Sequence, residues 1–322
     1  MSSIMKNIKT APAVRPIKVM GELKKNFSLF TMLIPGLLHL ILFAYLPMFG
    51  VIIAFKKINF TQGILKSPWV GFANFRFLFN TSDAWIITRN TILYNLLFIF
   101  LGVILHLAVA IGLNEVKNKI VSKSCQTLMI MPHFLSMVVI SYIAFAFFSN
   151  ETGFMNHKIL PMLGLSPVDW YVNPKPWPYI LSIVHFWQGL GYGSIVYLAS
   201  IAGIDKNLYE AAQIDGANKW RQITSITLPC LKPVITIMLI MAIGKIFNAD
   251  FGLFYQVPQN SGATYSTTSV INTYVFNMMK SGSANSLGMS SAAALYQSVV
   301  GFVLVVGANA VVHKIDPERA MF

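Results

Sequence analysis

The sequence predicts an all-α integral membrane protein with six transmembrane helices. Hydrophobic residues make up 55% of the 322 residues and charged residues only 11%, and the mean hydropathy is +0.62. Soluble domains carry about 25% charged residues. Six apolar runs are long enough to cross about 30 Å of hydrocarbon, which takes roughly 20 helical residues. Alternating segments of about ten residues, the pattern of a membrane β-barrel, do not occur, so helices are the predicted spans.

The six predicted spans divide the chain into three regions. Residues 1–28 form a basic amino-terminal segment, residues 29–313 the six-span domain, and residues 314–322 a short tail. The first apolar run is long and lacks a small-residue cleavage site after a short core, so we expect a retained span rather than a cleaved signal peptide. The spans lie near residues 29–55, 86–114, 125–149, 178–203, 232–252 and 289–312.

Lysine and arginine are distributed unevenly between the two sides of this predicted topology. Of the 24 such residues, most lie in the amino terminus, the second and fourth loops and the tail. Cytoplasmic loops carry this excess in membrane proteins, so both termini are predicted to face the cytoplasm. The net charge of +13 then reflects attraction to anionic headgroups of the lipid bilayer, and a nucleic-acid partner is not needed to explain it.

No motif for catalysis or for cofactor binding is visible in the sequence. The nearest approach to a phosphate-binding loop, Gly244-Lys245-Ile246, lacks the upstream glycine and the Ser or Thr that would hold magnesium. The glycines at 189, 191 and 193 lie inside an apolar run, where close helix packing explains them better than a nucleotide loop. With two cysteines near span ends, no disulfide framework is expected. We therefore predict no catalytic residues, no metal site and no cofactor in this chain.

A polar segment between the fourth and fifth spans, residues 205–231, predicts a helical elbow on the cytoplasmic side. Either Asp205 or Asn207 suits the N-cap of a short helix, and Asn207 with Glu210 has the spacing of a capping box for a helix near residues 207–219. Gly216 falls near the end of that helix, where an unusual backbone conformation is useful. We expect a second short helix through Trp220, ended before the fifth span by Pro229 and Pro233.

Two interpretations of this elbow differ in function. Spacing alone also fits an amphipathic loop that lies on the membrane surface. The residues Glu210-Ala211-Ala212, Gly216, Ile226 and Leu228-Pro229, however, match the pattern E-A-A-x3-G-x9-I-x-L-P. This pattern resembles the EAA motif of the permeases of binding-protein-dependent ABC importers. The resemblance implies that the elbow is a coupling helix, which inserts into a cleft of a separate ATPase subunit.

The resemblance covers nearly the whole chain. The segments VGFANFRFLF (70–79), RNTILYNLL (89–97) and NADFGLFYQV (248–257) are similar to segments of sugar permeases. The polysaccharide branch that includes LplB and MalF fits best, and within it the first permease subunit of the alginate importer is similar. Membership implies the type I importer (MetI-like) fold and a location in the bacterial inner membrane. The implied partners are a second permease, two ATPase subunits that hold ATP and magnesium, an extracytoplasmic solute-binding protein and a saccharide substrate.

The resemblance also implies which residues couple the elbow to the ATPase. Glu210 is the candidate hinge anchor, either as a helix cap or through a salt bridge to the ATPase, and these alternatives stay open. Small residues permit close approach and apolar residues supply contact area. The predicted coupling residues are Leu208, Tyr209, Glu210, Ala211, Ala212, Asp215, Gly216, Ala217 and Trp220.

Aromatic, amide and ionisable residues in the last three spans are candidates for the substrate path, because sugars bind aromatic faces and planar polar groups. Aromatic belts and helix packing use the same residue types. Lys245 and Asp250 stand out as ionisable groups at depth. On one straight helix they would lie about 140° apart, which argues against a direct pair. The candidates are Trp187, Gln188, Tyr192, Lys245, Asn248, Asp250, Tyr255, Tyr296 and Gln297.

The two predicted outer loops have a composition that suits contact with another protein or with the membrane surface. Loops 56–85 and 150–177 are rich in proline and tryptophan, which suits docking of a binding protein or interfacial anchoring.

An ion-coupled secondary transporter would need more buried ionisable groups than Arg89, Lys245 and Asp250 provide. A membrane-embedded enzyme would need clustered catalytic groups, and none is apparent.

Overall fold

The computed structural model describes residues 26–282 and 285–315, and within them the chain is helical without a β-strand. The amino-terminal segment up to residue 25 and the tail from residue 316 lie outside the described residues. The main helices, labelled in chain order, are α1 Phe27–Phe55, α2 Ser82–Glu115, α3 Lys119–Phe134, α4 Met137–Phe148, α5 Trp177–Ala202, α6 Lys206–Ile214, α7 Lys219–Ile243, α8 Phe251–Gln256, α9 Ile271–Lys280 and α10 Ser286–Ile315. Short helices lie at Gly63–Lys66, Gly71–Phe75, Phe77–Asn80, Met155–Ile159, Leu160–Met162, Gly262–Thr264 and Tyr265–Thr268.

The chain divides into two compact units, one up to Ile52 and the other from Ile53 onward. In the first unit, residues 27–52 belong to α1, and nearly all of their apolar side chains are exposed. Its α-helix passes through a π-turn at Ile41–Tyr45 and ends in a 3-10 segment at Phe49–Phe55. A helix that is apolar on every side and exposed is suited to hydrocarbon rather than to water.

Four helices among the described residues are long and apolar enough to cross a membrane: α1, α2, α7 and α10. The third predicted span is α3 followed by α4, which meet at an angle of 98° and count as a fifth if they form one broken span. The fourth predicted span is α5, whose 26 residues are long enough but include many polar and small side chains. The count of six spans therefore stays a prediction.

Two expectations about the fifth span were wrong. Pro229 and Pro233 do not separate it from the elbow, since α7 runs without interruption from Lys219 to Ile243. A π-turn at Ile223–Thr227 ends one residue short of Pro229, with Leu228 between them, and this wider turn accommodates a ring that would crowd a regular helix. The apolar run also does not continue as a helix to residue 252. The helix ends at Ile243, and residues 244–250 form a turn before α8.

In the second unit, α5 packs closely against α2 and α3. A Cβ atom on Gly191 would overlap the backbone of Met129, and one on Gly193 would overlap the ring of His106. The packing explanation of this glycine cluster is therefore confirmed at two positions. Gly189 has open space where its Cβ would lie. The largest buried cluster gathers around Trp177 and Leu181 at the start of α5 and includes residues of α2, α4 and α8.

The amino-terminal part of α2 holds the last short helix, Tyr265–Thr268, and the residues between it and α9. The Asn90 side chain donates to the Ser269 carbonyl oxygen at 2.9 Å, and the Thr91 hydroxyl accepts from the Ile271 N–H at 3.0 Å. Arg89 and Tyr94 donate to the carbonyl oxygens of residues 266 and 267, both at 2.9 Å. The Arg-Asn-Thr sequence therefore anchors this segment through backbone oxygen and nitrogen atoms, which explains why these polar residues stand at the head of an apolar helix.

Candidate functional site

The elbow begins with a side-chain cap and ends in a left-handed turn. Asp205 is the N-cap of α6, and its carboxylate accepts from the N–H of Asn207 at 3.0 Å. The predicted capping box between Asn207 and Glu210 is therefore wrong, because the cap lies two residues earlier. The helix is also shorter than predicted and stops at Ile214. A cap at Asp205 leaves the Glu210 carboxylate available for other contacts.

Gly216 closes α6 with a Schellman turn. Its φ is +76°, in the region that side-chain-bearing residues disfavour. The N–H of Gly216 donates to the Gln213 carbonyl oxygen at 3.0 Å, and the N–H of Ala217 donates to the Ala212 carbonyl oxygen at 2.8 Å. These two bonds satisfy helix-end carbonyl groups that would otherwise lack partners. Asn218 then caps α7 by accepting from the Arg221 N–H at 2.8 Å.

Two side-chain contacts hold the elbow together and a third joins it to α2. The Tyr209 hydroxyl lies 2.9 Å from the Thr227 hydroxyl, which joins α6 to α7. Lys219 forms an ion pair of 2.9 Å with Glu115 at the end of α2. Gln222 donates to the Ala217 carbonyl oxygen at 2.9 Å. The tyrosine hydroxyl therefore points inward, although the sequence placed Tyr209 among the residues that contact the ATPase.

The outer surface of the elbow is apolar and unoccupied by other described parts of the chain. Ile214 is 87% exposed, Trp220 is 72% exposed and Leu208 is 48% exposed. Glu210, Ala211 and Asp215 are exposed beside them, whereas Ala212 and Ala217 are half-buried. Glu210 forms no ion pair with any described residue. This surface offers a partner three large apolar side chains next to a carboxylate that has no ion-pair partner among the described residues.

The break between α7 and α8 places polar groups beside two cavities. Lys245 and Asn248 line both of them. Asp250, His106 and His185 line the larger one, of about 610 Å³. Gln297 lines the smaller one, of about 480 Å³. Because the helix ends at Ile243, Lys245 and Asp250 do not lie 140° apart on one straight helix as the sequence suggested, and they reach the same cavity without forming an ion pair.

A network of amides holds this break in place. Asn272, in α9, accepts from the N–H of Ala249 at 3.1 Å and from Gln297 at 3.0 Å, and it donates to Asn248 at 2.9 Å. Gln297 also donates to the carbonyl oxygen of Phe247. Asn272 was absent from the sequence-based candidates because it lies 24 residues beyond Asn248, and no local pattern links the two.

The variant Asn272→Leu tests whether this network holds the break. Leucine has a similar volume but leaves the Ala249 N–H and the Asn248 side chain without partners, so we expect a loss of about 1–3 kcal/mol in stability. Thermal unfolding of the purified chain would detect this loss. Ser298→Ala is the matched control, because Ser298 lines the same cavity but bonds only within its own helix. Equal unfolding temperatures for the two variants would contradict the assignment.

The other predicted path residues lie away from the two cavities. Tyr192 stacks on His133 with ring centroids 4.1 Å apart, and Gln188 donates to the Leu135 carbonyl oxygen at 3.4 Å. Trp187 lies on the same helix and is half-exposed. Tyr255 stacks on Phe251, and Tyr296 packs edge-on against Phe247. The structure thus brings together Lys245, Asn248, Asp250 and Gln297, but not these five residues.

The two histidines beside the larger cavity and the Asn95 side chain were not predicted to belong to the path. The His185 ring stacks on Phe98 at 3.8 Å, and the His106 ring lies against Gly193. These contacts are those of packed imidazole rings. Asn95 donates to the carbonyl oxygen of Thr91 in its own helix at 2.8 Å and also lines the cavity.

The two tryptophans of loop 150–177 pack against the rest of the chain, Trp177 fully buried and Trp170 half-buried. Trp177 is fully buried, and its indole donates to the Trp170 carbonyl oxygen at 2.8 Å. Trp170 in turn donates to Asn156 at 2.8 Å. Burial of the neighbouring Tyr171 phenol raises its pKa to about 12. In the first outer loop Trp69 is exposed, so it is the better candidate for contact with another protein.

Comparisons with known proteins identify relatives along most of the chain. Residues 98–317 match the family described as binding-protein-dependent transport system inner membrane components. The protein LplB of Bacillus subtilis (strain 168) is 37% identical over 311 residues, which cover 95% of each chain. The polygalacturonan/rhamnogalacturonan transport permease YteP of the same organism is 32% identical over 319 residues, covering 96% of this chain and 97% of YteP.

Solved structures match with similar coverage. A chain of a bacterial ABC transporter involved in import of the acidic polysaccharide alginate superimposes with a TM-score of 0.83 and 33% identity, covering 92% of this chain and 99% of that one. A second structure shows the bacterial alginate transporter in complex with a periplasmic protein bound to an alginate pentasaccharide, with a TM-score of 0.83 and 32% identity, covering 92% and 98%.

Proposed function

The chain belongs to the inner-membrane components of binding-protein-dependent transport systems, and from this membership we propose that it forms, with a second permease, a path for an acidic oligosaccharide. It is a permease of the sugar-importing ABC class, a transport component rather than an enzyme. The matches give no support to an ion-coupled carrier. Relatives named for polygalacturonan and for alginate handle polymers of uronic acids, which supports an anionic substrate.

The position of Lys245 carries this proposal. Lys245 lines both cavities at the break after α7, together with amide residues that suit sugar hydroxyls. No carboxylate in the described part of the chain pairs with Lys245. A cation that is kept at depth without a partner is costly unless a ligand or another subunit neutralises it. A uronic-acid carboxylate supplies the matching charge.

The remaining parts of the mechanism follow from the elbow. Two separate ATPase subunits bind ATP and magnesium, and each permease receives their movement through its own elbow. In this chain Leu208, Ile214 and Trp220 supply the apolar contact, and Glu210 meets a basic group of the ATPase. Both termini face the cytoplasm, and an extracytoplasmic solute-binding protein delivers the saccharide on the opposite side. The structural neighbour with a bound periplasmic protein supports this arrangement.

Replacing Lys245 with glutamine tests the substrate class. Removing a charge-assisted hydrogen bond worth about 1.5 kcal/mol should slow uptake of a uronic-acid oligomer about tenfold. Uptake of a neutral oligosaccharide, if the importer accepts one, should not fall. The measurement is uptake of labelled oligosaccharides by the importer reconstituted in liposomes with its ATPase and binding protein.

Lys232→Gln is the matched control for this experiment. It likewise removes one lysine charge, but Lys232 lies inside α7, is exposed in the second turn of the segment that follows the π-turn, and lines neither cavity. Equal effects of the two substitutions, or full uptake of the acidic oligomer by Lys245→Gln, would remove the support for an anionic substrate.

A further inference from the structure

A cavity of about 310 Å³ lies directly behind the coupling elbow. Its walls come from the end of α2, the end of α5, the inner face of α6 and the first turn of α7. Lys206, Tyr209 and Gln213 face it from α6, at the i, i+3 and i+7 positions that share one side of a helix. The inner side of the elbow therefore faces an open cavity rather than packed side chains.

The α6 helix has little protein behind it. It has no buried residue, and Tyr209 makes the side-chain hydrogen bond that joins it to α7. The ion pair between Lys219 and Glu115 lies at one edge of the cavity. A helix that must transmit force gains rigidity if something fills the space behind it.

The cavity carries unbalanced positive charge. Lys117, Lys206 and Lys219 line it together with one carboxylate, that of Glu115. Lys219 is paired with Glu115, whereas neither Lys117 nor Lys206 forms an ion pair within the described part of the chain. Two ammonium groups that share a cavity repel each other unless an anion lies between them.

The cavity wall also contains an unsatisfied acceptor. Gln222 is buried, and its Oε1 atom has no hydrogen-bond partner among the described residues. An unmatched buried acceptor costs about 1–3 kcal/mol. A ligand that offers both negative charge to the lysines and a hydroxyl donor would complement this wall better than water alone.

We infer that this cavity binds a phosphate group, and that its source is the headgroup of an anionic phospholipid of the cytoplasmic leaflet. The cavity opens at the cytoplasmic ends of α2 and α5 in the predicted topology, which is the level of the headgroups. Basic pockets between helix ends bind phospholipid headgroups. A phosphatidylglycerol headgroup adds glycerol hydroxyls as donors. Binding there braces α6 against α2 and α5, so that the lipid favours coupling of ATP hydrolysis to transport.

Lipid binding by the purified importer complex tests the inference. The variants are a Lys117→Gln/Lys206→Gln pair and a control pair, Lys123→Gln/Lys232→Gln, which removes two cytoplasmic lysines that do not line the cavity. Native mass spectrometry would measure binding of phosphatidylglycerol against phosphatidylcholine, and a parallel titration would use inorganic phosphate. Because each lysine near anionic lipid contributes about a factor of five, the first pair should bind phosphatidylglycerol about 25-fold more weakly. The control pair should match the native complex, and Lys117→Arg/Lys206→Arg should restore binding.

Every result of this experiment either supports or overturns the proposed lipid site. Equal weakening by both pairs would mean general surface attraction and would overturn the site, as would binding that none of the variants changes. Inorganic phosphate binding that depends on Lys117 and Lys206, without selective lipid binding, would overturn the lipid source and leave a phosphate site. The assay contains no saccharide, so its failure would not bear on the proposed substrate.

Discussion

Replacing Gly216 with proline is expected to abolish uptake while the chain still inserts into the membrane. Gly216 has a φ of +76°, whereas proline is restricted to about −65°. Proline also removes the N–H that donates to the Gln213 carbonyl oxygen. The Schellman turn therefore cannot form, and α6 loses its fixed position beside α7. Uptake and ATP hydrolysis by the reconstituted importer would show hydrolysis that no longer drives transport.

Two milder substitutions separate backbone conformation from crowding. No atom lies within 4 Å of the place where a Cβ on Gly216 would stand, so side-chain volume is not the obstacle. Asparagine tolerates the left-handed conformation and should retain most uptake, whereas alanine should lose about 1–2 kcal/mol of local stability. Normal import by Gly216→Pro would remove the elbow from the coupling path. An equally severe defect in Gly216→Asn would point to a contact with the ATPase instead.

The elbow and the two cavities beside Lys245 lie at opposite ends of α7. The α7 helix begins at Lys219 and runs for 25 residues to Ile243, a length of about 37 Å at 1.5 Å per residue. Lys245 follows two residues after its end. We therefore expect a movement of the elbow to reach the break at residues 244–250 without passing through another element.

The predictable parts of this structure were those encoded by local patterns. The positions of α1, α2 and α10 could be predicted because each contains an apolar run long enough to cross a membrane. The position of the elbow could be predicted from the EAA pattern. Gly216 was recognised because a left-handed turn at a helix end favours glycine over other residues. These features depend on a few neighbouring residues, so the linear sequence contains the whole signal.

The parts that could not be predicted depend on contacts between distant residues. The break at residues 244–250 lies within the run predicted as the fifth span, and it is fixed by Asn272 and Gln297 from other helices. Asp205 and Asn207 lie only two residues apart and are both good N-cap residues, so the sequence alone did not distinguish them as the cap of α6. Similarly, Trp187 and Tyr192 have the right chemistry for sugars, but α5 directs the Tyr192 ring to His133.

Replacing Gly191 with valine is expected to disrupt the packing of α5 against α3. A Cβ at this position would overlap the Met129 carbonyl group, and a backbone group cannot rotate away as the end of a side chain can. The two helices would have to separate, and overpacking of this kind costs about 1–3 kcal/mol or more. The expected results are a lower unfolding temperature of the purified chain and less folded protein in the membrane.

Gly189→Val provides the matched control on the same helix. Gly189 lies two residues earlier, and nothing stands within 4 Å of its Cβ position. The two variants change helix propensity by the same amount, so any difference between them reports the contact with Met129 alone. We expect Gly189→Val to unfold close to the native temperature in detergent, where no second permease is present. If Gly191→Val unfolded at that same temperature, α5 and α3 would not be in the close contact on which the shape of this part of the permease depends.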